Sequence, residues 1–492
     1  MTSAPQKPVR VRMPPSPSGF IHIGTARTAL FNWLFARQHK GVFIFRIEDT
    51  DAVRSKPEYE SQLIEALHWL GLEWDEGLDL DKSGQLISRG QHSPYRSSER
   101  TEIYRKYLER LLAEKKAYYC YCTKEELEAE RQVQLAEGLP PKYSGHCRNL
   151  TAPPPDREPQ VIRFKVQETT VAFSDLIRGK VSFDAALFGD IVIARNLNSP
   201  LYNLAVTVDD QVMDISHVIR GEDLLSNTPK QILLQHALGF NMPHYAHIPL
   251  ILNSDRSKLS KRTNQSSLLN YRERGYLPEA MVNFLALLGW HPAGDREVLT
   301  LDQLIKEFNL KKVQKSGAIF NQEKLDWLNG QYLKNLPTED MVAYFKKHLP
   351  AHQSQHFSQE TLAKIVLALR DRLRNLHELV SLAQFFFALP DYRRDILVWR
   401  EDSVPKTQGV LAKLHDHLTA LNPEAFGASD KLIYELEPLV TKYGKGSVLW
   451  PLRVAVSGQV ASPDPFTIMV VLGKAETLNR LNAALNKIGL AI

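Results

Sequence analysis

The sequence predicts an α/β chain whose first part is built on a parallel sheet and whose last third is all helix. Three observations carry this. In the first hundred residues strand, helix and strand patterns follow one another with short joins, which implies a parallel βαβ unit. Short β-rich segments with turns fill 161–219. Beyond residue 320 strand signals fade and long amphipathic helices take over.

The elements follow in order. Val9-Arg10-Val11-Arg12-Met13 is a short strand, stopped by the punctuated loop Pro14-Pro15-Ser16-Pro17-Ser18-Gly19. Ala26, Ala29, Leu30, Trp33 and Leu34 then recur at helical spacing, and Gly41 is expected to end that helix. Val42-Phe43-Ile44-Phe45 is a continuous apolar run, the mark of a strand buried on both faces. Helix is expected over 57–70, and over 100–138 around a break at Cys120-Tyr121-Cys122. The stretch 150–160, with its three successive prolines, is loop, and helix returns at 229–238. In the last third helices are expected over 360–389, 410–418 and 476–488, punctuated by Pro390, Pro405, Gly444 and Gly473. The main change of character falls near Asn321.

Composition bounds the classes. The 492 residues are 43% hydrophobic and 24% charged, close to the globular average, so wholesale disorder is excluded. A net charge of +5, from 61 basic and 56 acidic residues, permits a polyanionic partner without demanding one. No apolar run is long enough to cross a bilayer, and the polar start of the chain shows no signal peptide. Three cysteines rule out a disulfide scaffold and fit a reducing cytosol, so a cytoplasmic location is expected.

Two loops carry phosphate chemistry. The first, from Pro15 through Ser16, Ser18, Gly19, His22 and Gly24 to Thr25, joins the first strand to its helix, where ligands of parallel sheets bind. A helix start offers unpaired N–H groups and a positive dipole end. Gly24 lets a flat ring or phosphate approach, and His22 can donate to a phosphate oxygen. An ordinary loop with a capping histidine is the alternative. The second loop, Ser257-Lys258-Leu259-Ser260-Lys261-Arg262, sets two lysines three apart around a small hydroxyl, which suits closure over a triphosphate. A solvated basic loop is the alternative there. The pair together supplies what phosphoryl chemistry needs.

At this pair a resemblance becomes explicit. His22-Ile23-Gly24-Thr25 resembles the HIGH motif of class I aminoacyl-tRNA synthetases, and Lys258-Leu259-Ser260-Lys261-Arg262 resembles their KMSKS loop. Pro15 to Gly19, Ala26-Arg27-Thr28-Ala29-Leu30-Phe31-Asn32-Trp33-Leu34, Arg46-Ile47-Glu48-Asp49-Thr50-Asp51 and His217-Val218-Ile219-Arg220-Gly221-Glu222-Asp223 are similar to the bacterial glutamyl-tRNA synthetases. The likeness is dense from residue 9 to about 335 and diffuse beyond. Two departures stand out: Thr25 replaces the second histidine, and Pro14 stands where relatives often carry alanine, which removes a backbone donor. The resemblance implies a Rossmann-like catalytic domain split over 1–110 and 190–240. It implies an α/β acceptor-stem insertion over 111–189, a stem-contact region with the lysine loop over 241–322, and an all-helical anticodon-binding region over 323–492.

The same resemblance implies site residues. His22, Lys258 and Lys261 would be catalytic. Ser18, Gly19, His22, Gly24, Thr25, Lys258, Ser260 and Lys261 would hold ATP with its Mg2+. Arg12, Ser16, Glu48, Tyr202 and Arg220 would line a glutamate pocket, the arginines on the side-chain carboxylate and Glu48 on the ammonium. Plainer alternatives are a solvated acidic loop for Glu48, Asp49 and Asp51, and structural ion pairs for the arginines, with Glu222 or Asp223 as partner of Arg220. Asn203 is expected to be structural. The three cysteines, all between 120 and 147, have spacing that suits zinc. A structural zinc on Cys120, Cys122, Tyr143 and Cys147 stands against three reduced thiols, with His146 as another fourth ligand. Lys364, Arg370, Arg372 and Arg374 crowd one expected helix, as a solvated face or a nucleic-acid contact.

The implied activity is ATP-dependent ligation of L-glutamate to tRNA(Glu), through a glutamyl-adenylate and then transfer to the terminal ribose. Charging of tRNA(Gln) as well is open, and a monomer is expected. The close rival is glutaminyl-tRNA synthetase, against which the helical last third argues. A non-catalytic tRNA-binding protein with a synthetase-like core is the rival of another class. A small-molecule adenylyltransferase would not need the residues past 320.

Overall fold

The computed structural model describes residues 8–489, apart from 52–53, 168, 260–266, 352 and 354–356. Contacts gather the chain into two units, Met1–Glu273 with Pro278–Leu325, and Arg274–Leu277 with Asp326–Ile492.

The first unit is mixed α/β. Its strands are β1 (Arg10–Met13), β2 (Val42–Phe45), β3 (Glu76–Leu80), β4 (Leu86–Arg89), β5 (Ala117–Cys120), β6 (Val161–Phe164) and β7 (Thr170–Asp175). There follow β8 (Gly179–Asp184), β9 (Ile191–Asn196), β10 (Ser199–Pro200), β11 (His217–Gly221), β12 (His244–Ile248), β13 (Ile251–Leu252) and β14 (Ala318–Ile319). The helices that matter for the site are α1 (Ile23–Gln38), α2 (Pro57–Trp69), α3 (Thr101–Ala113), α4 (Lys124–Ala136), α5 (Tyr202–Val212) and α6 (Thr228–Leu238).

The first sheet runs β1-β2-β3-β4, parallel through β3, with β4 as an antiparallel edge. In β1 and β2 the register pairs Arg10 with Val42 and Met13 with Phe45. The α1 helix crosses between them, burying Ala26, Ala29, Leu30, Trp33 and Leu34. Its apolar residues run nearly all round because it is covered on several sides. Asn32 ties α1 to β11 by donating to Ile219 O at 3.0 Å. Ser216 N donates to Arg10 O at 2.9 Å, which brings β11 beside β1. A second sheet runs β11-β12-β7-β8 and a third, antiparallel, β10-β9-β6-β5. The two short strands β13 and β14 pair parallel.

The second unit has helices and no strand among its described residues. Helices Thr338–His348, Gln359–Leu369, Val404–Ala420, Ser429–Tyr443, Lys445–Ser457 and Pro465–Gly489 surround one core that includes Phe345, Ile365, Leu411, Leu414, Leu452 and Leu481. The last of these helices breaks at Gly473, whose φ is 72°.

Several expectations are corrected. Gly41 does not take the left-handed turn after α1; Lys40 does, at φ 50°. Gly41 is needed because a Cβ there would strike the carbonyl of Val9. Cys120 ends strand β5 rather than breaking a helix. The α5 helix lies inside the stretch read as β-rich. Its Val and Thr content and its burial on every side from Leu204 to Asp210 hide the helical period. The expected helix over 360–389 is interrupted after Leu369: Glu378 accepts the backbone N–H of Arg374 at 2.8 Å, and Asn375 Oδ1 that of Glu378 at 3.2 Å. Such local side-chain bonds divert a backbone from helix. The four basic residues therefore do not share one helix. Lys364 pairs with Glu360, Arg374 with Glu378, Arg370 donates to Thr338 and Arg372 to the Ser462 carbonyl.

Candidate active site

The loop after β1 is held from both sides. Glu48 N donates to Pro15 O at 3.0 Å and Lys56 N to Pro17 O at 3.1 Å, which leaves Ser16 and Ser18 exposed at its surface. His22 is the N-cap of α1. Its Nδ1 accepts from Gly24 N at 3.1 Å and Thr25 N at 3.3 Å. An Nδ1 that accepts twice carries no proton, so the neutral ring carries its proton on Nε2. That Nε2–H lies 3.0 Å from Thr25 Oγ1 at the mouth of the helix. A Cβ at Gly24 would sit 3.0 Å from the His22 ring, so a larger residue there would crowd the ring where it folds back over the helix start. The capping reading is what the structure shows, and the cap sets the tautomer that makes Nε2 a donor.

Arg27, one turn on, is buried and donates to Leu288 O at 2.9 Å and to Pro249 O. Burial draws its pKa down to about 10, against the pull of Glu222. It ties the start of α1 to the segment that leads into β13. Nothing in the sequence marks this role, because both acceptors are backbone carbonyls far along the chain.

Of the lysine loop, Lys258 is exposed and 3.6 Å from Asp223, on a turn closed by Leu259 N donating to Ile251 O at 3.1 Å. Ser260 and Lys261 lie outside the described residues.

The expected glutamate pocket is a buried charge cluster. Arg12 is 1% exposed and donates to Asp210 at 3.2 and 3.3 Å; Arg46 reaches Asp210 at 2.7 Å and Glu48 at 3.2 Å. Asp210 and Arg46 were missed as site residues. Asp210 sits on the helix that the sequence concealed. Burial pushes Asp210 up, but the two guanidinium groups outweigh it and hold the carboxyl below its usual range. Burial raises Glu48 above the ordinary carboxylate range, against the pull of Arg46 and Arg12. Arg220, 3% exposed, pairs with neither Glu222 nor Asp223. Glu222 is taken by Arg178, and Asp223 by Lys258. Burial pushes the Tyr202 hydroxyl up, Glu48 adds to this, and Arg220 and Arg12 oppose it, so all four groups share one electrostatic neighbourhood. Among the described residues Nη1 of Arg12 and Nη1 of Arg220 are both buried without a hydrogen-bond partner. A buried guanidinium donor left unmade is costly. Asn203 instead accepts from Gln231 at 3.2 Å, a structural contact.

The three thiols converge. Cys120, Cys122 and Cys147 sulfurs all lie within 4.8 Å of one another, and the Tyr143 hydroxyl is 3.5 Å from Cys120 Sγ and 3.7 Å from Cys122 Sγ. His146 is exposed and outside the group. Zinc–sulfur bonds of about 2.3 Å place tetrahedral sulfurs about 3.8 Å apart, and Cys122 and Cys147 are 3.6 Å apart. The donors therefore fit a zinc ion. Burial, with Cys120 and Cys147 adding, pushes the Cys122 thiol up to about 12. Burial also acts against ionising Cys120, but Tyr143 and Arg163 outweigh it and hold that thiol low. A cysteine that ligates a metal does so as its thiolate.

The first unit thus holds a helix start capped by His22 and a buried cluster of Arg12, Arg46, Asp210 and Glu48. Residues 8–327 match the family model of class I tRNA synthetases (E and Q), catalytic domain, and residues 339–485 match an anticodon binding domain. The chain belongs to this class I tRNA synthetase family.

Within the family it is similar to proteins named glutamate–tRNA ligase. That of Sulfurihydrogenibium sp. (strain YO3AOP1) is 44% identical, covering 98% of this chain and 100% of the relative. That of Carboxydothermus hydrogenoformans is also 44% identical, covering 96% and 99%. A crystal structure of a glutamate tRNA ligase from Elizabethkingia meningosepticum in complex with its amino acid superimposes with a TM-score of 0.84. It is 34% identical and covers 98% of this chain and all of that one.

Proposed function

We propose that this chain ligates L-glutamate to tRNA(Glu) at the expense of ATP, as a glutamate–tRNA ligase. The observation that carries the choice of glutamate is the pair of buried arginines, Arg12 and Arg220, each with an unmet Nη1 donor. Two forked cations complement a carboxylate, and buried Glu48 complements an ammonium.

ATP enters as its magnesium complex. The α-carboxylate oxygen of glutamate attacks the α-phosphorus, the bond to the bridging oxygen breaks, and pyrophosphate leaves. A ribose hydroxyl at the tRNA terminus then attacks the glutamyl carbonyl carbon, loses its proton, and AMP leaves. No side-chain nucleophile is required. His22 Nε2–H and the positive dipole end of α1 meet charge on the phosphates from one side, and Lys258 and Lys261 from the other. Ser18, Gly19, Thr25 and Ser260 shape that nucleotide site, and Ser16 and Tyr202 the amino-acid side. Groups aimed at developing charge lower the barrier more than groups that bind substrate and transition state alike.

Segments 1–110 and 190–240 form the catalytic domain in this reading, 111–189 contacts the acceptor stem, 241–322 carries the lysine loop, and 323–492 reads the anticodon. Cys120, Cys122, Tyr143 and Cys147 would hold a structural zinc that braces the insertion and takes no part in the chemistry. The chain works as a cytoplasmic monomer. No helix among its described residues is long and apolar enough to cross a membrane.

Aminoacylation with radiolabelled glutamate or glutamine, on purified tRNA(Glu) and tRNA(Gln), tests this. Glutamate should be attached to tRNA(Glu), with tRNA(Gln) reporting how strictly the helical region selects. Absence of glutamate-dependent charging would refute the proposal.

A further inference from the structure

Behind Arg220 lies a closed set of buried hydrogen bonds that the charge cluster does not use. Arg220 on β11 and His247 on β12 are register partners in parallel strands. His247 is 0% exposed, and its Nδ1 lies 2.6 Å from Asp175 at the end of β7. Asp175 also accepts the backbone N–H groups of Ile177 at 2.9 Å, Arg178 at 2.8 Å and His247 at 3.1 Å. A carboxylate that already accepts three backbone N–H groups is an acceptor throughout. Although burial pushes Asp175 up, these bonds hold it below its usual range.

The donor directions then follow one from another. Nδ1 of His247 must carry the proton that meets Asp175. Nε2 is therefore an acceptor. Arg220 Nε donates to it at 3.2 Å, and Thr228 Oγ1 stands 3.0 Å from it. Arg220 Nη2 donates to Thr228 Oγ1 at 2.8 Å, so the hydroxyl proton is free to turn toward Nε2. The Tyr245 ring lies 5.6 Å from the guanidinium carbon. Two of the three guanidinium nitrogens are thus fixed from behind, and Nη1 is the one left over.

We propose that His247, locked by Asp175 as the Nδ1–H tautomer, is the positioning residue that aims Arg220 at the substrate carboxylate. This rests on the reading of Arg220 as a glutamate ligand. Arginine offers only donors, so the group behind it must accept. A histidine with its proton on Nε2 would set N–H against N–H and turn the guanidinium away. Asp175 excludes that tautomer. The competing role is a polar strut that joins β7, β11 and β12 and is indifferent to the substrate.

Four variants separate these: Arg220→Gln, His247→Leu, His247→Gln and the double variant Arg220→Gln with His247→Leu. Michaelis constants for glutamate and ATP are measured by pyrophosphate exchange in the presence of tRNA(Glu), with melting curves alongside. His247→Leu should raise the glutamate constant by about 10²-fold, the scale of a misplaced binding group, and leave the ATP constant within about twofold. His247→Gln returns an acceptor oxygen near the Nε2 position and should recover most of the loss. In the Arg220→Gln background, His247→Leu should add little, because residues that act as a unit are not additive. If Arg220→Gln leaves the glutamate constant unchanged, the reading of the pocket fails and this proposal with it. If Arg220→Gln raises it while His247→Leu shifts both constants equally and His247→Gln gives no rescue, the strut is right and the proposal alone is overturned. Should His247→Leu not fold, His247→Met, unbranched and also lacking a strong acceptor, takes its place.

Discussion

In the proposed mechanism His22 has two jobs, cap and phosphate donor, that a pair of substitutions can pull apart. In His22→Asn the amide oxygen falls near the Nδ1 position and can keep the caps to Gly24 N and Thr25 N, now 3.1 and 3.3 Å long. Asparagine is among the best N-cap residues, so the usual cost of about 1 kcal/mol for losing a cap should largely vanish. What His22→Asn loses is the Nε2–H donor beside Thr25 Oγ1. One donor aimed at developing charge is worth about 3 kcal/mol, or two to three orders of magnitude in rate. His22→Gln does the reverse: its amide nitrogen falls near Nε2 and keeps a donor, while the cap is lost. Single-turnover formation of the adenylate, with melting curves, reads both. His22→Asn should melt close to the parent and form adenylate roughly 10²–10³-fold more slowly. His22→Gln should melt lower and keep more of the rate. If the rate instead followed the melting temperature, with His22→Asn fully active and His22→Gln impaired, His22 would be a cap and nothing more.

Three further outcomes are expected. Asp210→Asn leaves Arg12 and Arg46 without their shared counter-ion; breaking one buried pair costs about 3–5 kcal/mol, so the melting temperature should fall by several degrees and the glutamate constant should rise, and a variant unchanged in both would remove Asp210 from the cluster. Because burial holds Glu48 above the usual carboxylate range, and an ammonium needs it ionised, glutamate binding should weaken as the pH falls toward that raised value; Glu48→Gln should bind more weakly at every pH and lose that step in a calorimetric pH series. Protein prepared with zinc should retain about one ion per chain, Cys122→Ser should lose it, and chelation should lower the melting temperature with little change in adenylate formation; a metal-free parent of equal stability would leave the thiols as a reduced cluster.

The sequence showed some of this and hid the rest for physical reasons. Local patterns were legible: the apolar run of β2, the spacing of α1 and the fading of strand signals after residue 320 all correspond to elements of the structure. Some placements were legible too: His22 caps α1, and the three cysteines converge as their spacing suggested. Partnerships across the chain were not. Asp210 meets Arg12 from 198 positions away, and His247 meets Asp175 from 72. The helix that carries Asp210 is buried on nearly every side, so it shows no polar face to betray its period. Gly41 looked like a helix stop because stops and close approaches favour the same residue.

The most direct test of the site as a whole is calorimetric binding of two stable adenylate mimics, glutamyl-sulfamoyl-adenosine and its glutaminyl counterpart. They share every atom of the nucleotide and differ only in a carboxylate against an amide. A guanidinium left facing an amide in a closed pocket costs about 3–5 kcal/mol, so the glutamyl mimic should bind at least roughly 10²-fold more tightly. That preference should collapse in Arg220→Gln. Equal affinities in the parent protein would contradict a pocket in which Arg12 and Arg220 select the carboxylate.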